Sequence, residues 1–198
     1  MTTHAAKPIQ VVRTAYFLGP HGLTMPFDFE RIGGLTLVKP KRFPDRRGFF
    51  QEMYKRGDME PLGIPSPVQV NGSFSVKGVV RGLHYQLPPK EQGKLVTAVR
   101  GRILDVGVDV RRGSPTFGQY VTVELSGENG HMLWVPPGYA HGFQALEDSF
   151  VVYFVTNGEY SPPHERCVHY SLVKWPLSEV VSDKDAQCPP LEKAEVFP

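Results

Sequence analysis

Excess charge, cysteine and long apolar runs are what this chain lacks. Lys plus Arg number 22 against 20 Asp plus Glu, a net charge of +2. So even a balance gives no field to hold nucleic acid or an anionic membrane, and any anion must be bound by a local site. The two cysteines, Cys167 and Cys188, make no disulfide framework, and no metal-type spacing links them. No stretch approaches the roughly 18–20 apolar residues of a spanning helix. Met1 to Gln10 lacks the apolar core of a signal peptide. These absences point to a soluble cytoplasmic protein. A sustained helical period is missing as well, and 20 Gly with 19 Pro favour turns and short strands.

Strand candidates follow one another along the 198 residues, with turn signals between them. Residues 1–25 show no period, and Gly19-Pro20 with His21-Gly22 reads as loop. The first clear strand is Leu35 to Val38. Pro44-Asp45-Arg46-Arg47-Gly48 punctuates a turn between two apolar pieces, with Arg46-Arg47 either solvated or reaching a pocket. Prolines at 61, 65 and 67 exclude a long helix there. Val68 to Val76 alternates, with Gln69, Asn71, Ser73 and Ser75 on one face and apolar residues on the other. That is the period of a half-buried strand, and the uncharged polar face suits an interior pocket. Strands are also expected over Lys94–Val99, Arg102–Val110, Tyr120–Leu125, His131–Val135, His141–Leu146 and Phe150–Val155. In the second of these, Asp105 and Asp109 share a face and would repel unless paired with Lys94, Arg81 or Arg111. Many short strands predict an all-β sandwich or barrel whose polar faces line one cavity. The last residues read as a packed C-terminal segment with a helical turn.

Arg81-Gly82-Leu83-His84-Tyr85 concentrates the chemistry. It sets a planar cation suited to phosphate beside a ring that titrates near neutral pH. Pro137-Gly138-Tyr139-Ala140-His141 resembles the second metal motif of cupin barrels. The first such motif needs two histidines, but His84-Tyr85-Gln86 has one, so no metal is expected. No glycine elbow surrounds a Ser or Cys nucleophile. Acid–base chemistry without a cofactor remains, with His84 as base, Tyr153 or Tyr160 as acid, and Lys94 and Arg81 supplying positive charge. Asp185 or another carboxylate would orient the imidazole. Arg81 and His84 can serve one cavity only if the strand breaks its alternation, and Gly82 is the expected bulge.

Several motifs together carry a family resemblance: Arg47-Gly48-Phe49-Phe50, Arg81 to Gln86, Asp105 to Asp109, Ser114 to Gly118, Pro137 to Phe143, and Ser182 to Asp185. From about Leu35 to Leu191 the chain closely resembles the dTDP-4-dehydrorhamnose 3,5-epimerases, cofactor-independent enzymes on a cupin-type jelly roll. The resemblance implies one jelly-roll domain over 1–198, with an extension at 1–25, the barrel and its flanking strands at 26–176, and a short helical or irregular segment at 177–198. It implies His84 as base paired with Asp185, Tyr153 as proton donor, and Lys94 stabilising an enolate oxygen. Arg47, Glu52, Gln69, Asn71, Arg81, His141, Glu165 and Lys184 fall at positions that bind the nucleotide sugar, and Tyr160 at the aromatic that stacks on thymine. The implied substrate is dTDP-4-dehydro-6-deoxy-α-D-glucose, with no cofactor, and the implied assembly is a homodimer. Single-site epimerases, ketoisomerases and non-catalytic sugar-nucleotide binders share the scaffold. A dead binder should lack His84, Tyr153 or Lys94, and all three are present.

Overall fold

The structure is a computed structural model in which residues 26–198 are described; the Gly19–Gly22 loop and the N-terminal extension expected above lie outside them. Strands β1 (Phe27–Ile32) and β2 (Leu35–Pro40) form a hairpin turned by Gly33 and Gly34, both at positive φ. A Gly-Gly turn of this kind matches the twist of its flanking strands. The sequence pattern missed β1, because its Asp28, Glu30 and Arg31 break up the apolar residues. A small second hairpin pairs β3 (Arg42–Asp45) with β4 (Gly48–Gln51), and a one-turn helix α1 (Arg56–Met59) follows.

The main strands are β5 (Gln69–Ser75), β6 (Val80–Gln86), β7 (Gly93–Arg100), β8 (Arg102–Asp109), β9 (Tyr120–Ser126), β10 (Met132–Val135), β11 (Tyr139–Ala145) and β12 (Ser149–Thr156). A short β13 (Glu165–Cys167) and a one-turn helix α2 (Asp183–Ala186) complete the order. A six-stranded sheet runs β1-β2-β10-β7-β12-β5 and a five-stranded sheet runs β13-β6-β11-β8-β9. The two enclose a cupin-type jelly roll.

Three apolar layers hold it together. Leu35, Leu37, Val96, Leu133 and Val151 of one sheet meet Ile103, Leu125 and Phe143 of the other. Each fully buried aliphatic here contributes about 1.5–3 kcal/mol of transfer energy. Outside the five-stranded sheet, Val106, Val108 and Ala140 are covered by Val168, Val173, Trp175 and Leu191 of the C-terminal segment. Outside the six-stranded sheet, Val38, Leu95, Met132 and Trp134 are covered by Met59 and Ile64.

That outer cover does not reach β5. Its polar face turns inward as the alternation predicts, but its apolar face is open to solvent, with Val70 56% and Phe74 50% exposed. The half-buried strand is thus turned over relative to an ordinary one. Gly72 leaves room on this outer face for the Phe150 ring, which would sit 2.9 Å from a Cβ there.

Candidate active site

The site is built on β6. The β6–β11 ladder changes register within it, since His141 pairs with His84 but Phe143 pairs with Arg81. Three steps along β6 therefore face two along β11, the signature of a bulge. The extra residue lies at Gly82–Leu83, where the peptide is cis and Gly82 has a φ of 133°. A side chain does not fit, because a Cβ on Gly82 would lie 2.6 Å from Gly142 Cα. The bulge predicted at Gly82 is present, and Arg81 and His84 line the same cavity.

His84 Nε2 lies 2.8 Å from Asp185 Oδ1. The Gly82 N–H donates to the other carboxylate oxygen at 3.2 Å, so the bulge also helps hold the dyad. Burial alone would raise the Asp185 carboxyl; the His84 bond, the Gly82 N–H and Lys184 together hold it below the usual range. With Asp185 ionised, Nε2 carries the ring proton and Nδ1 the lone pair. Asp185 stands in α2, whose preceding Ser182 accepts its N–H at 3.2 Å, a cap that fixes where the turn begins.

Two adjoining cavities of about 380 and 270 Å³ share His84, Lys94 and Tyr153 in their walls. The larger is completed by Gln69, Asn71, Tyr160 and Glu165. The smaller is completed by Arg81, His141, Lys184 and Asp185. His84 comes from the five-stranded sheet, whereas Tyr153 and Lys94 come from β12 and β7 of the six-stranded sheet. The imidazole and the phenol thus belong to opposite walls of one cleft.

Around this junction the polar groups are tied to one another. Tyr160 O–H donates to Glu165 Oε2 at 3.1 Å, and Lys184 Nζ donates to the same oxygen at 2.8 Å. Gln69 donates to Asn71 at 2.9 Å and accepts the Tyr160 N–H at 3.0 Å. Arg81 donates to Ser75 Oγ at 2.9 Å and to the Phe74 carbonyl at 3.0 Å. Burial pushes the Lys94 ammonium down to about 8, against the pull of Glu165 and Asp105. Gln86, at the missing metal-motif histidine, donates to the Lys90 and Glu159 carbonyls and accepts the Ser161 N–H. It holds a loop.

Two readings of the sequence need correction. Asp105 does not pair with Lys94, Arg81 or Arg111; its Oδ1 lies 2.7 Å from His141 Nε2, with both residues buried. Burial raises its carboxyl despite His141 and Lys94. Asp109 does bond Arg111, together with Ser114 and Thr116. Secondly, Cys167 and Cys188 form a disulfide. Their separation of 21 residues gave no local signal, because they meet only when β13 and the C-terminal segment dock on β6.

Arg47 and Glu52 line neither of these two cavities. Arg47 sits at the tip of the β3–β4 hairpin, its side chain 83% exposed and bonded to Asp45. The solvated-turn reading of Arg46-Arg47 is the one that holds within a single chain. Among groups given no role from the sequence, Gln92, Phe143 and Ser182 also line the cleft; Phe143 and Ser182 fall within the family motifs, and Gln92 carries no spacing signal.

Comparison with known proteins follows the same geometry. The family model for dTDP-4-dehydrorhamnose 3,5-epimerase matches residues 30–193. A dTDP-4-dehydrorhamnose 3,5-epimerase of Pseudomonas aeruginosa is 45% identical over 175 residues, 84% of this chain and 96% of that one. The crystal structure of dTDP-4-dehydrorhamnose 3,5-epimerase from Sulfolobus tokodaii is 64% identical, covering 88% of this chain and all of that one, with a TM-score of 0.87. The dTDP-6-deoxy-D-glucose-3,5-epimerase from Legionella pneumophila, solved in complex with dTDP-4-keto-L-rhamnose, is 45% identical, covers 80% and 88% of the two chains, and has a TM-score of 0.76. A match that runs from β1 through the turn bearing Asp185 takes in both sheets and the cleft between them, and the chain belongs to the dTDP-4-dehydrorhamnose 3,5-epimerase family.

Proposed function

We propose that this enzyme inverts C3 and C5 of dTDP-4-dehydro-6-deoxy-α-D-glucose, giving dTDP-4-dehydro-β-L-rhamnose for dTDP-L-rhamnose synthesis. One observation carries the reading: His84 and Tyr153 stand on opposing sheets and line the same cavities. Inverting a carbon requires a proton to leave from one face of the ring and another to arrive on the opposite face. A sugar held between the sheets has an imidazole on one side and a phenol on the other.

Both reacting carbons flank the C4 ketone, so removal of either proton gives an anion delocalised onto the C4 oxygen. His84 is the base, its Nδ1 lone pair made available by the Nε2–Asp185 bond. Tyr153 delivers the new proton. Lys94 meets the enolate oxygen, where a preorganised cation in a partly dry cleft stabilises the transition state by several kcal/mol. Two rounds of this chemistry need no cofactor. Arg81 and Lys184 face the diphosphate, His141 is held in place for the sugar by Asp105, and Tyr160 stacks on thymine with Gln69, Asn71 and Glu165 beside it.

The test is proton NMR of the product formed in D₂O. Deuterium at both C3 and C5, with both centres inverted, is the expected result. Label at one carbon would make this a single-site epimerase, and hydrogen moved between C3 and C4 would make it a ketoisomerase.

The same reading includes a homodimer and a cytoplasmic location. The open apolar face of β5 and the exposed Phe43, Phe49 and Phe50 of the β3–β4 hairpin support the dimer. A hairpin lent by a second copy would bring Arg47 and Glu52 toward a cleft that lacks them. Sedimentation should report twice the mass of one chain; a single-chain mass at working concentration would remove the dimer.

A further inference from the structure

Each sulfur of the disulfide belongs to a segment that carries part of the dyad's surroundings. Cys167, the last residue of β13, is the ladder partner of His84. Cys188 stands three positions after Asp185, beyond the end of α2. The bond between them therefore joins the strand beside the base to the turn that carries its carboxylate partner.

Beyond the bonds that Asp185 itself makes to His84 and the Gly82 N–H, that turn has little to hold it. α2 is four residues long, and a single turn of helix does not repay the entropy of ordering it. Upstream it is anchored where Val80 N–H donates to the Val180 carbonyl and Val180 N–H to the Gly78 carbonyl. Downstream, the His169 N–H bond to the Pro189 carbonyl and the disulfide are the anchors nearest Asp185. The Lys184–Glu165 ion pair ties the same turn to the same short β13, but Lys184 is largely exposed, and such pairs contribute less than about 1 kcal/mol.

We propose that the Cys167–Cys188 disulfide is a positioning device for the reaction, clamping α2 to β13 so that Asp185 stays bonded to His84. The proposal rests on His84 being the base. Reduction by a dithiol breaks the S–S bond, places two electrons and two protons on the sulfurs as two thiols, and leaves the dithiol as its own cyclic disulfide. The turn then keeps its Ser182 cap, its Val180 anchor, the Gly82 N–H bond to Asp185, the His169–Pro189 bond and the exposed Lys184–Glu165 pair, but loses the one covalent link. Asp185 drifts from His84, and the imidazole loses the partner that fixes its tautomer. Gln69, Asn71, Arg81 and Tyr160 lie on segments the bond does not join and keep their hold on the nucleotide, whereas Lys184 in α2 and Glu165 in β13 lie on the joined segments, so nucleotide binding weakens less than turnover.

The experiment compares kcat and KM of the oxidised enzyme, the enzyme reduced with dithiothreitol, and the Cys167→Ser/Cys188→Ser variant. Each is also made with Asp185→Asn. Loss of the bond should lower kcat roughly 10- to 100-fold, the usual scale of an ångström of misplacement, with a smaller rise in KM. In the Asp185→Asn background its loss should cost nothing further, because the group it positions is already gone. Reoxidation should restore the wild-type kcat. Unchanged kcat in the bond-free enzyme, or losses that multiply in the Asp185→Asn background, would overturn the proposal. If the double variant does not fold, reduced wild type with two titratable thiols carries the same prediction; collapse of its circular dichroism along with its activity would reassign the bond to plain stability. Oxidised wild type that fails to turn over the dTDP-sugar would instead overturn the functional reading.

Discussion

Replacing His84 with alanine should lower kcat by about 10³- to 10⁴-fold, the upper scale for loss of a positioned general base, while dTDP binding stays within a few-fold. Among the described residues no other histidine lines the larger cavity, and the one other in the smaller, His141, is engaged with Asp105. The nucleotide contacts expected of Gln69, Asn71 and Tyr160 do not run through His84, so affinity for dTDP separates loss of chemistry from loss of fold. Stability should fall as well. Asp185 is buried and would lose its strongest partner, leaving Oδ1 without the His84 bond while Oδ2 keeps the Gly82 N–H, and a buried polar atom left unpaired costs about 1–3 kcal/mol. The sign with pH is defined. Asp185 has its carboxyl held low in the folded state, so its contribution is present above the usual Asp range and is lost as pH falls through the lowered value. Steady-state kinetics, dTDP calorimetry and urea unfolding of the variant check the three parts. A kcat within tenfold of wild type would remove His84 as the base.

Lys94→Met should lower kcat by about 10²- to 10³-fold, the scale of losing one preorganised donor to an oxyanion, and should at the same time stabilise the protein. The second half follows from burial. The ammonium is pushed down from 10.5 to about 8 chiefly by desolvation. Below pH 8 it is charged in both the folded and unfolded chain, and folding carries the whole cost of desolvating it. Between about pH 8 and 10.5 the folded protein releases a proton that the unfolded chain keeps, so the penalty shrinks as pH rises. Methionine removes it at every pH, and the thermal midpoint at pH 7 should rise by about 2–8 °C. Wild-type turnover should decline as pH passes about 8, because the enolate needs the charged form. A variant that is both less stable and nearly as active would contradict both roles. A cation kept at a net cost in stability is what function, rather than folding, selects.

Local pattern made much of this legible. The alternation of Gln69, Asn71, Ser73 and Ser75 predicted a polar interior face, and β5 presents one. The odd spacing of Arg81 and His84 required a bulge, and Gly82 was the residue able to supply it. What stayed hidden depended on contacts distant in sequence. The open outer face of β5 cannot be read from β5, because its apolar residues look the same whether the cover comes from this chain or another. Asp105 meets His141 only through the β8–β11 register, and charge alone offered Lys94, Arg81 or Arg111. The disulfide needs β13 and the C-terminal segment to converge on β6. Arg47 carries a family motif, but a motif does not record where its hairpin lies, and in this chain that side chain is exposed and bonded to Asp45.

The central claim is that one group, the His84–Asp185 dyad, removes the proton at both carbons. Proton NMR of the substrate in D₂O, with wild type and His84→Ala side by side, tests it most directly. Loss of both the H3 and H5 signals with wild type, and of neither with the variant, is the predicted result. Washout of either signal by His84→Ala at the wild-type rate would show that another base does the work.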